Sequence, residues 1–309
     1  MKIGTTFSYR ECQILGIDPG ETLRAIIKLG LNPIRIGTYW DDLEPQKGKY
    51  DFSPLDWQIE MLARARIDIV LEVGMKAPRW PEYYFPSWFE VRNVNDESIR
   101  PPLFLFIEKV VKKYADHSFV KWINVENEPL NDSGPQGQRI DLSILEKEVS
   151  LVRSLVEKPI ILNSWLEMHP LKRFWRRLEK RERAVKNCLN LGDILGISTY
   201  LRFPGQLKVK DKHWQFLKKI LEEGEKKGKE VWVTEMQAEP WEKSDDLKKF
   251  SDPDGNSSCH PNDIILYFKK LEALGFKTIL FWGAEFWYRC LKENNEGWWQ
   301  VVRELVNKA

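Results

Sequence analysis

The chain has 309 residues, of which 42% are hydrophobic, so it has enough apolar material for a substantial core and is not a disordered or collagen-like protein. Its 48 Lys and Arg residues against 46 Asp and Glu residues leave a net charge of +2, which provides no general attraction to nucleic acid or to an anionic membrane. No run of 18 or more apolar residues is present, so no membrane-spanning helix is expected.

Short β-branched segments alternate with amphipathic segments along the whole chain. The predicted strands cover residues 3–7, 34–37, 68–74, 120–125, 159–163, 194–198, 231–234 and 278–282. The predicted helices cover residues 18–30, 53–62, 104–114, 142–155, 176–186, 216–227, 263–274 and 296–306. Ser53 and Pro54 have the residue types of an N-cap and first helical position, and Asp56 has the spacing of a capping box. Gly275 is expected to end the helix before it.

Eight strand–helix pairs in about 300 residues predict an α/β fold, a (β/α)₈ barrel that forms one domain over residues 1–309. A doubly wound open sheet is the competing fold. It would favour a glycine-rich phosphate turn, and neither GxGxxG nor GxxxxGK[ST] occurs in the sequence. In such barrels the chemistry lies at the carboxyl ends of the strands, so the residues that follow each strand are the candidates for function.

Carboxylates follow the fourth and the seventh predicted strands. Asn127, Glu128 and Pro129 come after the fourth, and Glu235 comes after the seventh. Cleavage of an acetal requires one carboxylic acid to protonate the leaving oxygen and a second carboxylate to attack or stabilise the anomeric carbon. Glu126 is a rival for the acid, but Pro129 indicates that regular strand pairing is ending, which favours Glu128 for the exposed role.

Aromatic residues are also concentrated near strand ends. Four tryptophans lie just past predicted strands, and at least two are expected to stack on sugar rings: Trp40, Trp80, Trp165 and Trp287. Glu285 is interpreted as a loop residue able to bind sugar hydroxyls. The long connection over residues 75–100 is rich in aromatic residues, and both a wall of the cleft and a self-packed loop are compatible with it.

Two motifs resemble a known group of enzymes. The triplet at 127–129 together with Glu235 resembles the retaining β-glycosidases of glycoside hydrolase clan A, and residues 40–52 (WDDLEPQKGKYDF) resemble the WxxxEPxxGxYDF signature common in that clan. The resemblance runs from residue 3 to about residue 299. It is nearest to family 5, the cellulases and mannanases, and families 39 and 42 share other pieces.

The resemblance implies a retaining glycoside hydrolase that cleaves β-linked oligo- or polysaccharides of the β-glucan or β-mannan type, with no cofactor and no metal. Glu128 would be the acid/base and Glu235 the nucleophile. The implied substrate-binding residues are Asn127 on the sugar 2-hydroxyl, Arg35 and Tyr200 on the nucleophile, and Trp282 under the sugar ring. The sequence departs from family 5 at 74–80, where a His usually follows strand 3, and at 198–200, where His-x-Tyr is usual.

Three alternatives use the same fold. A transglycosylase would use the same two glutamates, and a catalytically silent barrel would bind carbohydrate without cleaving it. A metal-dependent sugar isomerase would require several His, Asp and Glu ligands at strand ends. The expected partner is a carbohydrate, with no nucleic acid and no membrane, and the oligomeric state is left open.

The start of the sequence lacks the apolar segment and cleavage site of a signal peptide. As written, the sequence therefore predicts a cytoplasmic protein, and a secreted one if a leader has been removed. The four cysteines lie far apart and form no CxxC pair, so free and mostly buried thiols are predicted rather than a zinc site or disulfides.

Overall fold

A computed structural model describes residues 1–166, 174–200, 211–242 and 257–308, with side chains described for all of these except 174–181. Its eight strands form a closed barrel in chain order, which confirms the predicted (β/α)₈ fold. The strands are β1 (Lys2–Phe7), β2 (Ile34–Gly37), β3 (Ile69–Val73), β4 (Val120–Val125), β5 (Ile160–Trp165), β6 (Ile194–Thr199), β7 (Glu230–Gln237) and β8 (Thr278–Trp282).

Helices separate the strands along the chain. In the described ranges they are α1 (Tyr9–Ile14), α2 (Pro19–Lys28), α3 (Trp40–Leu43), α4 (Ser53–Arg64), α5 (Arg100–Tyr114), α6 (Leu142–Leu155), α7 (Phe174–Leu191), α8 (Asp211–Lys226), α9 (Pro261–Leu274), α10 (Ala284–Lys292) and α11 (Gly297–Lys308), with a 3₁₀ turn at Glu97–Ile99. None of these helices is long and apolar enough to cross a membrane.

The strands match their predicted positions closely because their side chains are buried on both faces. β2, β4 and β8 have the predicted bounds, and every residue of β2 and β3 is buried. Near-continuous apolar runs are typical of parallel strands covered on both faces. All four cysteines are free and buried, as predicted.

The predicted cap of α4 is wrong. The N-cap position is Phe52, without a side-chain hydrogen bond, and Ser53 is already the first helical residue. The Asp51 carboxylate accepts the Ser53 N–H at 2.9 Å, so it replaces the serine hydroxyl as the side chain that satisfies the first turn. Asp56 closes no capping box and instead accepts the hydroxyl of Tyr114 at 2.6 Å.

The described residues group into two compact units. The first unit contains residues 1–34, Leu166 and the described residues from 197 onward; in it β8 pairs in parallel with both β1 and β7. The second unit contains residues 35–165 and the described residues up to 196; in it β4 pairs in parallel with both β3 and β5. The assignment of residues 1–309 to one domain stays a prediction.

Candidate active site

In the second unit, the chain turns sharply where β4 ends. Glu126 and Glu128 both have left-handed backbone conformations, with φ of 58° and 48°. For residues other than glycine this conformation costs about 1–3 kcal/mol each and persists only where the surroundings impose it. Here the backbone N–H groups of Glu126 and Asn127 donate to the carbonyls of Val73 and Lys76, at 2.8 and 2.7 Å. The turn is therefore held against the segment that follows β3.

A network of buried amides holds the predicted acid/base and its neighbour. The Glu128 N–H donates to Asn163 Oδ1 at 3.0 Å, and Asn163 Nδ2 donates to Asn127 Oδ1 at 2.9 Å. Arg35 Nη1 lies 3.4 Å from the Oδ1 atoms of both Asn124 and Asn127. The structure thus brings Arg35, Asn127 and Glu128 together around Asn163 of β5. Sequence analysis missed Asn163, although an Asn at the end of the apolar run 159–163 was an available signal.

The charge of Arg35 is placed in the interior. Its side chain is fully buried, and Nη1 lies 3.7 Å from Oε2 of the equally buried Glu72. Because a guanidinium does not lose its proton in a protein, a buried arginine requires a carboxylate nearby. Glu72 supplies this charge within the second unit.

Glu126, the rival acid, is not available to solvent. It is fully buried, and its two carboxylate oxygens accept the N–H groups of Met75 and Lys76 at 2.9 and 2.6 Å. Glu128 retains 6% exposure. This difference favours Glu128 as the carboxyl group that meets a substrate.

In the first unit, Tyr200 and Glu235 are in direct contact. Glu235 lies in β7 and is 1% exposed, and the Tyr200 hydroxyl donates to its Oε2 at 2.6 Å. This is the contact that the clan A resemblance implies for these two positions. A short hydrogen bond from a phenol to a buried carboxylate limits the carboxylate to one orientation.

Two tryptophans lie at the ends of the neighbouring segments of the first unit, one ending β8 and one following β7. Half-buried Trp282 ends β8, where it pairs with Gln237 of β7. Trp241 is 39% exposed, and its ring centroid lies 4.8 Å from that of Tyr200. Sequence analysis missed Trp241, although an aromatic residue six positions after Glu235 was a signal for it. Tyr200 therefore touches the carboxylate with its hydroxyl and an accessible indole with its ring.

Trp40 does not face a ligand, which corrects one prediction. It is fully buried, its Nε1 donates to Glu44 Oε2 at 2.7 Å, and its ring stacks on Phe106 at a centroid distance of 5.4 Å. Trp88 donates from Nε1 to the Glu44 carbonyl at 2.8 Å. The indole faces that could stack on a sugar are covered by other aromatic rings.

The signature at residues 40–52 has a structural role in this chain. Glu44 Oε1 accepts the Gly48 N–H at 2.8 Å, and Gly48 takes a left-handed φ of 75°. Burial and the charge of Glu44 raise the pKa of Tyr50 to about 12, so its hydroxyl stays protonated near that carboxylate. The buried Glu44 carboxylate therefore holds Trp40 and Gly48 of the signature through its two oxygens.

Glu285 and Trp287 are also misassigned by the sequence. Both lie in α10, where a loop was predicted, and both are fully buried. Trp287 Nε1 donates to the Ala238 carbonyl at 2.6 Å, and Glu285 Oε1 accepts the Ser8 N–H at 2.5 Å. The inner face of a helix turns these side chains into the core, so neither contacts a sugar in this conformation.

Of the four tryptophans predicted just past strand ends, Trp80 and Trp165 keep accessible surface. Trp80 is 59% exposed in the connection after β3, and Trp165 is half-buried at the end of β5. The other aromatic residues of the 75–100 connection pack on one another and on Trp40, as in the stacked pair Tyr83 and Phe85. This favours the self-packed loop, with Trp80 as the exception.

No three His, Cys, Asp or Glu side chains cluster in a way that could hold a metal ion within the part of the chain that the structure describes. Buried His213 instead contacts the Thr199 hydroxyl through Nε2 at 2.8 Å, which gives it a partner in the wall of the first unit.

Sequence comparison relates part of the chain to β-galactosidases. A glycoside hydrolase family 42 model, described as Beta-galactosidase, matches residues 19–99. The chain is 27% identical over 117 residues to Beta-galactosidase BgaA from Clostridium cellulovorans. That match covers 33% of this chain and 18% of the relative, so the chain spans a small part of that protein.

Solved glycosidases have a similar fold. A GH5_18 variant from Bifidobacterium longum, solved in complex with Manb1-4GlcNAc, has a TM-score of 0.67 at 12% identity; the match covers 100% of this chain and 78% of that one. Exo-beta-1,4-mannosidase Op5Man5 from Opitutaceae bacterium strain TAV5 has a TM-score of 0.62 at 13% identity, over 100% of this chain and 60% of that one. The chain has the barrel fold of the clan A glycosidases. The predicted resemblance to clan A is thus confirmed, with a family 42 match in sequence and family 5 neighbours in fold.

Proposed function

We propose that this clan A barrel is a retaining glycoside hydrolase in which Glu128 is the acid/base and Glu235 the nucleophile. The observation that carries the proposal is that Glu128 follows the carboxyl end of β4, that Glu235 lies near the carboxyl end of β7, and that each is held by a buried polar partner. Asn163 accepts the Glu128 N–H at 3.0 Å, and Tyr200 donates to Glu235 at 2.6 Å. The carboxyl ends of parallel strands in a closed barrel belong to the same face.

Two glutamates are sufficient for a double displacement. Glu235 attacks the anomeric carbon while Glu128 protonates the departing oxygen, and the bond to the leaving group breaks as the glycosyl-enzyme ester forms. Glu128, now a carboxylate, takes a proton from water, and that water cleaves the ester with net retention. The retaining geometry requires the two carboxyl groups to be roughly 5–5.5 Å apart.

The neighbouring residues have complementary roles in this scheme. Tyr200 holds the Glu235 carboxylate, and Arg35 adds a buried positive charge. Because Asn127 Oδ1 accepts from Asn163, its Nδ2 group is the part of the amide that can donate to a sugar 2-hydroxyl. Trp282 is proposed as the surface under the sugar in the cleavage subsite, with Trp241, Trp80 and Trp165 as further aromatic contacts.

The substrate class is β-linked. The motifs suggest β-glucans or β-mannans, and the relatives are described as β-galactosidases and an exo-β-1,4-mannosidase. We propose β-galactosides and β-mannosides as the first substrates to test, and β-glucosides, β-glucans and mannans as the second set.

Hydrolysis of 4-nitrophenyl β-glycosides of galactose, mannose and glucose tests the activity. The wild-type protein is expected to cleave at least one of them. Glu128→Gln and Glu235→Gln should each lower kcat/KM by about 10³-fold or more, because each removes a group that reacts in the transition state. Glu60→Gln, a side chain on α4 that is 70% exposed, is the matched control and should behave as wild type.

Azide distinguishes the two glutamates. Rescue of Glu128→Ala by azide with formation of a β-glycosyl azide would assign Glu128 as the acid/base, since azide replaces the water that Glu128 activates. Unchanged turnover in either Gln variant would refute the scheme.

Product analysis separates the alternatives. Transfer of the sugar to an added acceptor in place of water would identify a transglycosylase, and binding of oligosaccharide with no product would identify a silent carbohydrate-binding barrel. Activity that is lost with EDTA would instead favour the metal-dependent isomerase.

A further inference from the structure

Two glutamates that the double displacement does not use form a buried pair next to Glu128. Glu126 directly follows β4, two residues before Glu128, and Glu148 lies in α6. Both side chains are fully buried, and each carboxyl group lies within the electrostatic reach of the other. Two neighbouring carboxyl groups away from water are not both ionised, so one of them carries a proton.

The proton belongs on Glu148. Glu126 already accepts the N–H groups of Met75 and Lys76 through its two oxygens, so it has the partners of an anion. No N–H or O–H of the described residues donates to either oxygen of Glu148. Burial raises the pKa of Glu126 to about 7, and burial together with the Glu126 charge raises the pKa of Glu148 well above its usual range. Two adjacent anions in a dry interior would repel strongly, and a shared proton removes that repulsion.

The pair is connected to Glu128 through Lys76. Glu126 accepts the Lys76 N–H, Asn127 donates to the Lys76 carbonyl at 2.7 Å, and Lys76 Nζ donates to the Glu128 carbonyl at 2.7 Å. The Lys76 side chain is fully buried. Lys76 thus links the two glutamates: its backbone N–H bonds to Glu126, and its side chain bonds to the backbone of Glu128, which has a left-handed φ of 48°.

Glycine at position 74 makes this anchor possible. A Cβ atom at Gly74 would lie 2.2 Å from Cδ and Oε1 of Glu126, so the carboxylate would have to leave its present position. Its φ of 134° is also a conformation that other residues rarely adopt. The carboxylate therefore occupies space that exists because residue 74 has no side chain.

Four other titratable groups of the described residues act on the pair or on its immediate neighbours. They come from the segments after β3 and β4 and are Lys76, Glu82, Tyr83 and Asp132. Burial and the charges of the nearby carboxylates, Glu126 foremost, raise the pKa of Tyr83, so this phenol stays neutral across the working range. Lys76 is the cation of the group, and it also lies 3.4 Å from Glu82.

The geometry points to Glu126 and Glu148 as positioning residues, a carboxyl pair with one shared proton that fixes Lys76 and, through it, the conformation of Glu128. This inference rests on the proposed role of Glu128 as the acid/base. While the pair keeps its proton, the turn after β4 is anchored. Loss of the proton at basic pH brings two anions together, loosens Lys76 and lowers kcat separately from the titration of Glu128 itself.

Glu148→Gln tests the proton directly. The amide N–H₂ group can donate to the Glu126 carboxylate as the protonated carboxyl does, and it cannot ionise. At neutral pH we expect kcat within about twofold of wild type, whereas at basic pH the variant should keep activity that the wild type loses. Glu146→Gln, an exposed residue of the same helix, is the matched control and should keep the wild-type pH profile. Identical basic limbs in wild type and Glu148→Gln would overturn the inference.

Glu126→Gln tests the anchor. Its amide offers one acceptor oxygen where the carboxylate offers two, so one of the Met75 and Lys76 N–H groups loses its partner. We expect kcat to fall by about tenfold or more with KM changed by less than about threefold, because the substrate contacts are retained.

Hydrogen exchange separates this inference from the proposed function. Exchange at residues 124–131, measured by mass spectrometry and corrected for the intrinsic rate at each pH, does not depend on turnover. If the wild type cleaves no glycoside, the proposed function fails, yet faster exchange of this segment in Glu126→Gln still supports the anchor. Wild-type protection of the segment in Glu126→Gln would overturn it, whatever the activity.

Discussion

Replacing Tyr200 by Phe removes one hydroxyl group and retains the ring that packs against Trp241. The hydroxyl donates to Glu235 Oε2 at 2.6 Å, and the two residues are only 5% and 1% exposed. Water therefore cannot easily take the place of the lost donor. A hydrogen bond to a charged group contributes about 1.5–3 kcal/mol, and burial places this one in the upper part of that range.

This free energy corresponds to a loss of about 10- to 150-fold in kcat/KM if the bond is fully expressed in the transition state. Most of the loss should appear in kcat, because the hydroxyl contacts the nucleophile and not the substrate. Initial rates on the aryl glycoside that the wild type hydrolyses best measure the effect, and thermal unfolding measures any loss of stability in parallel.

Tyr114→Phe is a close control for this experiment. Its hydroxyl also donates to a carboxylate at 2.6 Å, that of Asp56, but on the helical layer at α5 and α4. This variant should lower the free energy of unfolding by about 1–2 kcal/mol and leave kcat/KM unchanged. A loss below about threefold in Tyr200→Phe, or an equal loss in Tyr114→Phe, would refute the role assigned to the Tyr200 hydroxyl.

Three further outcomes follow from the same structure. Gly74→Ala places a Cβ 2.2 Å from Glu126 and should lower the free energy of unfolding by more than about 3 kcal/mol, as measured by chemical denaturation. Gly137→Ala is the control: Gly137 has a φ of 59° but no atom within 4 Å, so this variant should lose only about 1 kcal/mol. Trp287→Ala should cost about 3–5 kcal/mol because it empties a core site, while Trp80→Ala should leave stability within about 0.5 kcal/mol and raise KM for oligosaccharides. The free energy of unfolding of the wild type should fall as the pH rises above the usual glutamate range, because burial raises the pKa values of both Glu126 and Glu148 and the pair keeps a proton that the unfolded chain has lost; a flat profile would contradict this.

Strand positions were predictable because the local sequence carries the signal. β2, β4 and β8 have the predicted bounds, since a short β-branched run that is buried on both faces can scarcely form anything else. Helix ends were harder to predict. The cap of α4 was misplaced by one residue because the Asp51 carboxylate accepts the Ser53 N–H, so the helix already includes Ser53. α10 was missed because it begins after Gly283 without a side-chain cap that would signal its start.

In the candidate site, too, chain position was predictable from the local sequence, whereas the burial of the side chains was not. Glu128, Glu235 and Tyr200 follow strand ends that periodicity locates, and the resemblance to clan A assigned their roles. Trp40 and Trp287 follow strand ends too, yet both are core residues. Position along a strand predicts which end of the barrel a residue lies near, but not how deeply its side chain is buried.

The amino-acid pattern by itself determined the eight-fold alternation, the parallel barrel and the two glutamates at its strand ends, because each depends on neighbours within about ten residues. The tertiary structure alone decided that Glu126 pairs with Glu148, that Asn163 holds the turn before Pro129, and that Trp241 rests on Tyr200. These contacts join residues 22 to 41 positions apart, and no local spacing encodes them. Burial and charge then act on those contacts, which is why a glutamate that looked like a rival catalyst in the sequence is a buried anchor in the fold.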